Sequence, residues 1–207
     1  SLIDIDSIPP MLQNLEEYIE TDQNIVEKSI LHSLLAELYQ MYFNTQQYKI
    51  NRRTPITGYV PRNMAEWTGN IYREKIFQHA LDAVKARPQL TEVNCLTYKE
   101  ILVLGKNSPA LRPTMYDFLV YRSIDILNTI SRYNKQEPIT NKQLLFAPVK
   151  EFVQMPIEVK KMDAYSNTLK LYQSLLQSEI AAERTDAILI SDLDRLEYAN
   201  NIIGLSQ

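Results

Sequence analysis

Cysteine, glycine and long apolar runs are all scarce in this sequence. The single cysteine, Cys95, excludes an internal disulfide framework, although it leaves the cellular compartment open. Only four glycines occur among 207 residues, so breaks in regular structure are expected mainly at the prolines. No run approaches the roughly 20 apolar residues of a membrane-spanning helix, and no membrane span is therefore predicted.

The composition is that of an ordinary globular domain. Apolar residues make up 45% of the chain, charged residues make up 23%, and the formal net charge is −3. Such a chain can bury a core and is not expected to be disordered. A nucleic-acid partner is not expected, because a mildly acidic chain lacks the clustered basic face that such binding needs. The chain starts at Ser1 without a signal segment, so we expect a trimmed piece whose export signal has been lost.

Helical periodicity predicts the secondary structure. Apolar residues recur at helical spacing in a long segment, 23–48, which Asp22 or Asn24 could cap. A second long helix is predicted from Asn70 to before Pro88, and a short third one in "LTYKEILVLGKN", with Gly105 in a left-handed position at its end. No segment alternates with a period of two residues, so no sheet is required.

The stretch "RPTMYDFLVYRSIDIL" predicts a central helix. Thr114 and Asp117 have the spacing of a weak capping box. The helix that follows, to about Tyr133, carries two apolar stripes where a surface helix needs one. The first stripe is Met115, Phe118, Leu119, Ile126 and Ile130, and the second is Val120, Ile124 and Leu127. A helix that is apolar on two sides is expected to have neighbours on both sides.

The predicted fold class is all-α, an irregular stack of antiparallel helices with helical-repeat, tetratricopeptide-like character. Residues 1–133 are predicted to form a helical core, beginning with an irregular lead-in at residues 1–10 and a weak helix over 11–20. Residues 134–162 are predicted to be a long connection that packs back over the helices. Residues 163–207 are predicted to be a helical hairpin of the same domain, turning near Glu183. Its second helix is predicted to bury Ile188, Leu189, Leu193, Leu196 and Ala199 and to expose the run "DLDRLE", in which Arg195 adds local pairing.

Candidate catalytic chemistry is thin. His32 and His79 lie on different predicted helices and could bind a metal with Asp82, but two histidines at the edge of the core are the favoured interpretation. Cys95 has no neighbouring base and is interpreted as a structural thiol. No glycine-rich phosphate loop occurs, so no cofactor is predicted.

One basic cluster could bind an anion or a partner. It comprises Lys49, Arg52, Arg53 and, a little later, Arg62. We favour the alternative in which these side chains bind carboxylates and backbone carbonyls and tie the loop to the body. Four tyrosines could line a groove, although at helical spacing they are more often core-edge residues. They are Tyr39, Tyr42, Tyr48 and Tyr72.

Three sequence pieces in order resemble a known family. They are "SLLAELYQMYFNTQQYKINRRT", "AEWTGNIYREKIFQHAL" and "YKEILVLGKNSPALRPTMYDFLVYRSIDIL". Together they resemble the N-terminal helical region of the large alpha-2-macroglobulin-like proteins of Bacteroidetes-type bacteria, over residues 24–131. The matching positions are Leu34 to Tyr42, Arg53 and Thr54, Trp67, and the Arg-Pro-Thr-x-Tyr-Asp motif from Arg112 to Asp117.

The resemblance implies a non-catalytic scaffold or interaction segment of a bacterial cell-envelope protein, periplasmic or outer-membrane associated. Its partners would be β-rich domains downstream in the same chain, and possibly other envelope proteins, in a protease trap or defence protein. The family's Cys-x-Glu-Gln thioester motif is absent, because Cys95 is followed by "LTY". No catalytic residue is transferred. The candidate interaction or structural residues are Arg52, Arg53, Arg62, Trp67, Arg112, Tyr116 and Asp117.

Two alternatives to the scaffold role remain open. One is a stand-alone helical-repeat adaptor that binds a peptide in a groove lined by the tyrosines and by Arg52, Arg53 or Arg62. The other is an enzyme, which would need His32 and His79 to converge with a carboxylate. We favour a non-enzyme.

Overall fold

The computed structural model describes residues 7–55, 58–105, 108–132 and 141–204. Within these ranges the chain is all-helical, with no β-strand and one isolated antiparallel bridge between Asn94 and Thr114. The predicted all-α class is thereby confirmed, whereas the tetratricopeptide-like character stays a prediction. None of the described helices is both long and apolar enough to cross a membrane.

Ten α-helices and two short 3-10 turns make up the described chain. The chain divides into two compact units, Ser1–Arg87 (unit 1) and Pro88–Gln207 (unit 2). The predicted boundaries at residues 133 and 162 stay predictions. The helices are α1 Ile8–Thr21, α2 Ile25–Ile50, α3 Gly69–Asp82, α4 Arg87–Thr91, α5 Ser108–Leu111, α6 Met115–Ser131, α7 Lys142–Phe146, α8 Val149–Phe152, α9 Ala164–Ala181 and α10 Thr185–Gly204. The 3-10 turns are Met64–Glu66 and Cys95–Tyr98.

Unit 1 is built on the long helix α2, which packs against α1 and α3. Asn24 starts α2, because its side chain accepts hydrogen bonds from the backbone N–H groups of Val26 and Glu27. The predicted irregular lead-in is wrong where it is described: α1 begins at Ile8, and its proline pair lies in the first turn. Proline is tolerated there because the N–H groups of a first turn have no partner within the helix.

Unit 2 is built on α6, α9 and α10, with α9 packed against both others. The capping box of α6 is present in full: Thr114 accepts from the N–H of Asp117, and Asp117 accepts from the N–H of Thr114. Both predicted stripes of α6 are buried, apart from the half-buried Phe118. The turn between α9 and α10 passes through Glu183, whose φ of 53° is left-handed.

Buried polar side chains hold the segment before α9 onto the helices. Gln173 donates to the carbonyls of Phe152 and Met155 at 2.8 and 2.7 Å. The buried guanidinium of Arg195 donates to the carbonyls of Leu145 and Ala147 at 2.7 and 2.9 Å. The described part of the predicted connection therefore packs on α9 and α10 and carries two short helices, α7 and α8. Residues 134–140, also assigned to that connection, lie outside the described residues.

Two predicted elements differ from the structure. "LTYKEILVLGKN" is not an α-helix, because its described part holds only the end of the 3-10 turn, a hydrogen-bonded turn over 99–101 and irregular chain, and Gly105 has no left-handed φ. On α10, Leu189 and Leu193 are 59% and 53% exposed, whereas Ser191 and Arg195 are buried. The buried face of α10 is therefore rotated from the predicted one, and "DLDRLE" is not entirely an outer face. Hydrophobicity alone predicts the wrong buried face, because it places a charged residue such as Arg195 outside. Arg195 can be buried because its N–H groups donate to the two carbonyls and to Asp192.

Candidate functional site

A polar cleft of about 320 Å³ lies in unit 2 among α6, α9 and α10. Its walls carry charged and phenolic side chains. The residues that matter below are Arg112, Tyr121, Asp125, Tyr172, Asp194 and Glu197. The helix pattern brings them together, since Tyr121 and Asp125 are one turn apart on α6, and Asp194 and Glu197 are one turn apart on α10.

Arg112 is held against one wall of this cleft. Its guanidinium carbon lies 3.3 Å from the centroid of the Tyr121 ring, and its Nη2 lies 3.9 Å from Oδ2 of Asp194. The Tyr121 hydroxyl donates to the same carboxylate oxygen at 3.1 Å. Partial desolvation by the walls of the cleft raises the pKa of the Asp125 carboxyl, against the opposing charges of Arg112 and Arg122. The cleft therefore combines one cation, Arg112, which already contacts Tyr121 and Asp194, with three neighbouring carboxylates.

Hydrogen bonds lead from the cleft to the buried carboxyl group of Glu179. The hydroxyl oxygens of Tyr121 and Ser191 lie 2.9 Å apart, and Oγ of Ser191 lies 2.8 Å from Oε1 of Glu179. Within the described residues, Oε2 of Glu179 has no hydrogen-bond partner. Burial, and then the negative charge of Asp117, raise the pKa of Glu179 to about 7. This carboxyl can therefore change its protonation near neutral pH.

Tyr116 and Asp117, close to these contacts in sequence, bind other side chains of unit 2. Tyr116 is buried, and its hydroxyl is 2.6 Å from that of Ser174. Asp117 is fully buried, and its carboxylate accepts two hydrogen bonds from the guanidinium of Arg184, which makes the interaction bidentate. Both side chains belong to the packing of α6.

The basic cluster of unit 1 splits into two kinds of arginine. Arg53 donates to the carbonyl of Trp67 at 2.6 Å, while the indole of Trp67 donates to the carbonyl of Pro61 at 2.7 Å. These bonds tie the loop between α2 and α3 to the body of the unit. Arg52 is exposed over the Tyr48 ring, with its Cζ 4.4 Å from the centroid. Arg62 is exposed and makes no ion pair with a described residue. The structure therefore does not gather the arginines into one site.

The two histidines of unit 1 do converge with a carboxylate. Nδ1 of His32 lies 2.8 Å from Nδ1 of His79, and Nε2 of His79 lies 3.2 Å from Oε1 of Glu16. Lys75 and the Tyr39 hydroxyl donate to the same Glu16 oxygen at 2.7 and 2.8 Å. These bonds, above all the one from His79, outweigh the opposing effect of burial and lower the pKa of Glu16 to about 2. Burial, and then His79, lower the pKa of His32 to about 4.

This arrangement is an ionic network without an activated nucleophile. The nearby Tyr39 hydroxyl donates its hydrogen to Glu16. Burial also raises the pKa of Tyr39 above its usual range. Across the described residues, no three His, Cys, Asp or Glu side chains are grouped so as to hold a metal ion. The predicted tyrosines divide likewise: Tyr39, Tyr42 and Tyr72 are buried and only Tyr48 is exposed.

Cys95 is a buried thiol. Its Sγ donates to the carbonyl of Thr114 at 2.9 Å, and burial raises its pKa to about 11. A thiol with a raised pKa is a poor nucleophile, because the thiolate is the reactive form.

Comparisons of the chain with protein-family models, with characterised proteins and with solved structures give no match. The functional argument therefore rests on the residues themselves.

Several of these residues were not predicted from the sequence. Glu16 and Glu179 each contact groups distant in sequence, and only the packing of helices brings them there. Asp194 and Glu197 were placed on an outer face, where Glu197 is exposed and Asp194 half-buried, but the sequence did not show that the packing of α6 and α9 turns this face into the wall of a cleft. The buried side of α10 carries the polar residues Ser191 and Arg195, whose partners Glu179, Leu145 and Ala147 lie outside α10, so no local signal marked that side.

Proposed function

We propose that this chain is a non-catalytic helical scaffold and interaction domain of a large cell-envelope alpha-2-macroglobulin-like protein, a protease trap or envelope defence protein. The proposal assigns it to the periplasm or the outer membrane, with β-rich domains of the same chain as its partners. Its basis is the resemblance over residues 24–131 together with what the matching residues do in the fold.

The observation that carries the proposal is that motif residues serve internal contacts. Arg53 and Trp67 fasten the loop between α2 and α3. Thr114 and Asp117 cap α6, and Asp117 also binds Arg184. A motif whose side chains hold helices and loops in place is typical of a structural domain. The side chains that could take part in catalysis also make internal contacts. Cys95 donates to the carbonyl of Thr114, and His32 and His79 contact each other.

The experiment that tests this proposal is to sequence the gene beyond both ends of this chain. An export signal upstream and a long β-rich region downstream are the expected result. A stop codon soon after Gln207, with no export signal upstream, would contradict it.

A second candidate function is a helical adaptor that binds a partner in a groove. The observation that favours it is the polar cleft of unit 2, in which the carboxylates of Asp125 and Glu197 form no ion pair with a described residue. A pull-down with the folded chain, compared between the native protein and a variant with a neutralised cleft, tests this candidate. Equal recovery of every bound protein by both would contradict it.

A further inference from the structure

The polar cleft of unit 2 has the size and the charge of a small-ligand site. Its volume of about 320 Å³ lies at the lower end of the range typical of ligand pockets. Three carboxylates line it, those of Asp125, Asp194 and Glu197, against one guanidinium, that of Arg112. The formal balance of three negative charges and one positive charge favours a cationic ligand.

Arg112 neutralises only part of this charge. It stacks on Tyr121, and the one ion pair that it forms with a described residue is with Asp194, at 3.9 Å. No described residue forms an ion pair with Asp125 or Glu197, both of which are exposed at the rim. Both carboxylates therefore face the cleft without an ion pair to the described part of the chain, although the charges of Arg112 and Arg122 act on Asp125 from a greater distance.

Tyr172 gives an independent indication of a ligand. Its side chain lines the cleft and the residue is only 5% exposed. Unlike the enclosed hydroxyl of Tyr198, the hydroxyl of Tyr172 keeps some solvent access, so it faces the cleft that its side chain lines. No described residue forms a hydrogen bond with it. A hydroxyl that opens to the cleft and has no partner among the described residues is suited to accept an N–H from a ligand.

The acidic side chains of the cleft are not grouped as the ligands of a metal ion are. The described residues contain no three His, Cys, Asp or Glu side chains placed to hold a metal ion together. An organic cation can instead reach separate carboxylates along its length. It can also lie against the paired rings of Tyr172 and Tyr198, whose centroids are 5.8 Å apart.

We propose that the cleft among α6, α9 and α10 binds an organic cation, a primary alkylammonium or a guanidinium, between the rim carboxylates Asp125 and Glu197 and the Tyr172 hydroxyl. The cation is either a free amine or the basic side chain of a protein. The inference concerns the cleft alone and does not depend on membership of an alpha-2-macroglobulin-like protein.

Calorimetric titration of the full chain at low ionic strength tests the proposal. The probes are 1,5-diaminopentane as a free amine and N-acetyl-lysine N-methylamide as a side-chain mimic. The test variant is D125N/E197Q, and the matched control is E100Q/E158Q, which removes the same charge from exposed positions of unit 2 outside the cleft. Saturable binding is expected, weakened about three- to tenfold in the test variant and unchanged in the control.

Both probes bear on the same chemistry. Binding of the diamine alone supports a free amine as ligand, and binding of the lysine derivative supports a basic protein side chain. No saturable binding of either probe, or equal weakening in the test and control variants, would overturn the proposal.

Two single variants sharpen the result. Y172F removes only the hydroxyl, so the melting temperature should stay the same while the affinity falls by about threefold or more. R112Q removes the cation of the cleft and should strengthen binding of the diamine. An unchanged affinity in Y172F would overturn the proposal, as would weaker binding in an R112Q protein that melts normally.

Discussion

At the scale of single residues, the ion pair between Asp117 and Arg184 is the most consequential contact of unit 2. Asp117 is fully buried and also caps α6, while the Arg184 side chain is 18% exposed. Replacing Asp117 with Ala removes the cap and leaves a largely buried guanidinium without its partner. We expect D117A to lower the free energy of unfolding by about 3–5 kcal/mol, measured by urea denaturation.

A double variant separates the unpaired charge from the lost packing. D117L/R184M replaces both charges with apolar side chains and leaves no unpaired guanidinium, so it should be less destabilised than D117A. A loss below about 0.5 kcal/mol in D117A, the range of ordinary surface substitutions, would refute the importance assigned to this pair.

At the scale of elements, the loop between α2 and α3 depends on one of its two adjacent arginines. Arg53 donates to the Trp67 carbonyl, whereas Arg52 only covers the exposed Tyr48 ring. We therefore expect R53A to cost about 1.5–3 kcal/mol of unfolding free energy and its matched control R52A about 0.5 kcal/mol. Thermal unfolding followed by circular dichroism measures both. Equal losses would show that Arg53 does not fasten the loop.

The pairing of α9 with α10 carries a titratable group in Glu179. Its pKa is about 7 in the folded chain against an ordinary 4.5, so the folded state binds more protons between these values. Its stabilising contribution is complete below pH 4.5 and is lost as the pH rises through 7. We expect E179Q to match the native protein at pH 4 and to exceed it by up to about 3 kcal/mol at pH 8, in urea denaturation at both pH values. The same difference at both pH values would contradict this assignment.

The caps that start α2 and α6 were predictable from the sequence, whereas the buried face of α10 was not. Asn24 and Thr114 act through the backbone next to them, so local spacing revealed both caps. The buried face of α10 depends on Arg195, whose partners Leu145 and Ala147 lie about fifty positions away. The cleft was not predictable for the same reason, because its carboxylates come from two helices, α6 and α10, that are far apart in the sequence.

At the scale of the whole molecule, the two units should respond to pH with opposite signs. In unit 1, the pKa of His32 is lowered from 6.5 to about 4 and that of Glu16 from 4.5 to about 2. The unfolded state therefore binds more protons in these windows, and unit 1 loses stability as the pH falls below 6.5. In unit 2, the raised pKa of Glu179 has the reverse effect, so stability is lost as the pH rises from 4.5 to 7.

The chain contains a separate intrinsic probe for each unit. Its one tryptophan, Trp67, lies in unit 1, and its one cysteine, the buried Cys95, lies in unit 2. From pH 4.5 to 6.5, the urea midpoint from tryptophan fluorescence should rise, while the midpoint from pulsed labelling of Cys95 with 2,2′-dipyridyl disulfide, which reacts with thiols in acid, should fall. H32Q should flatten only the first trend and E179Q only the second, because each removes one titrating group. Parallel trends from both probes would mean that the buried charges of one unit govern the unfolding of the other.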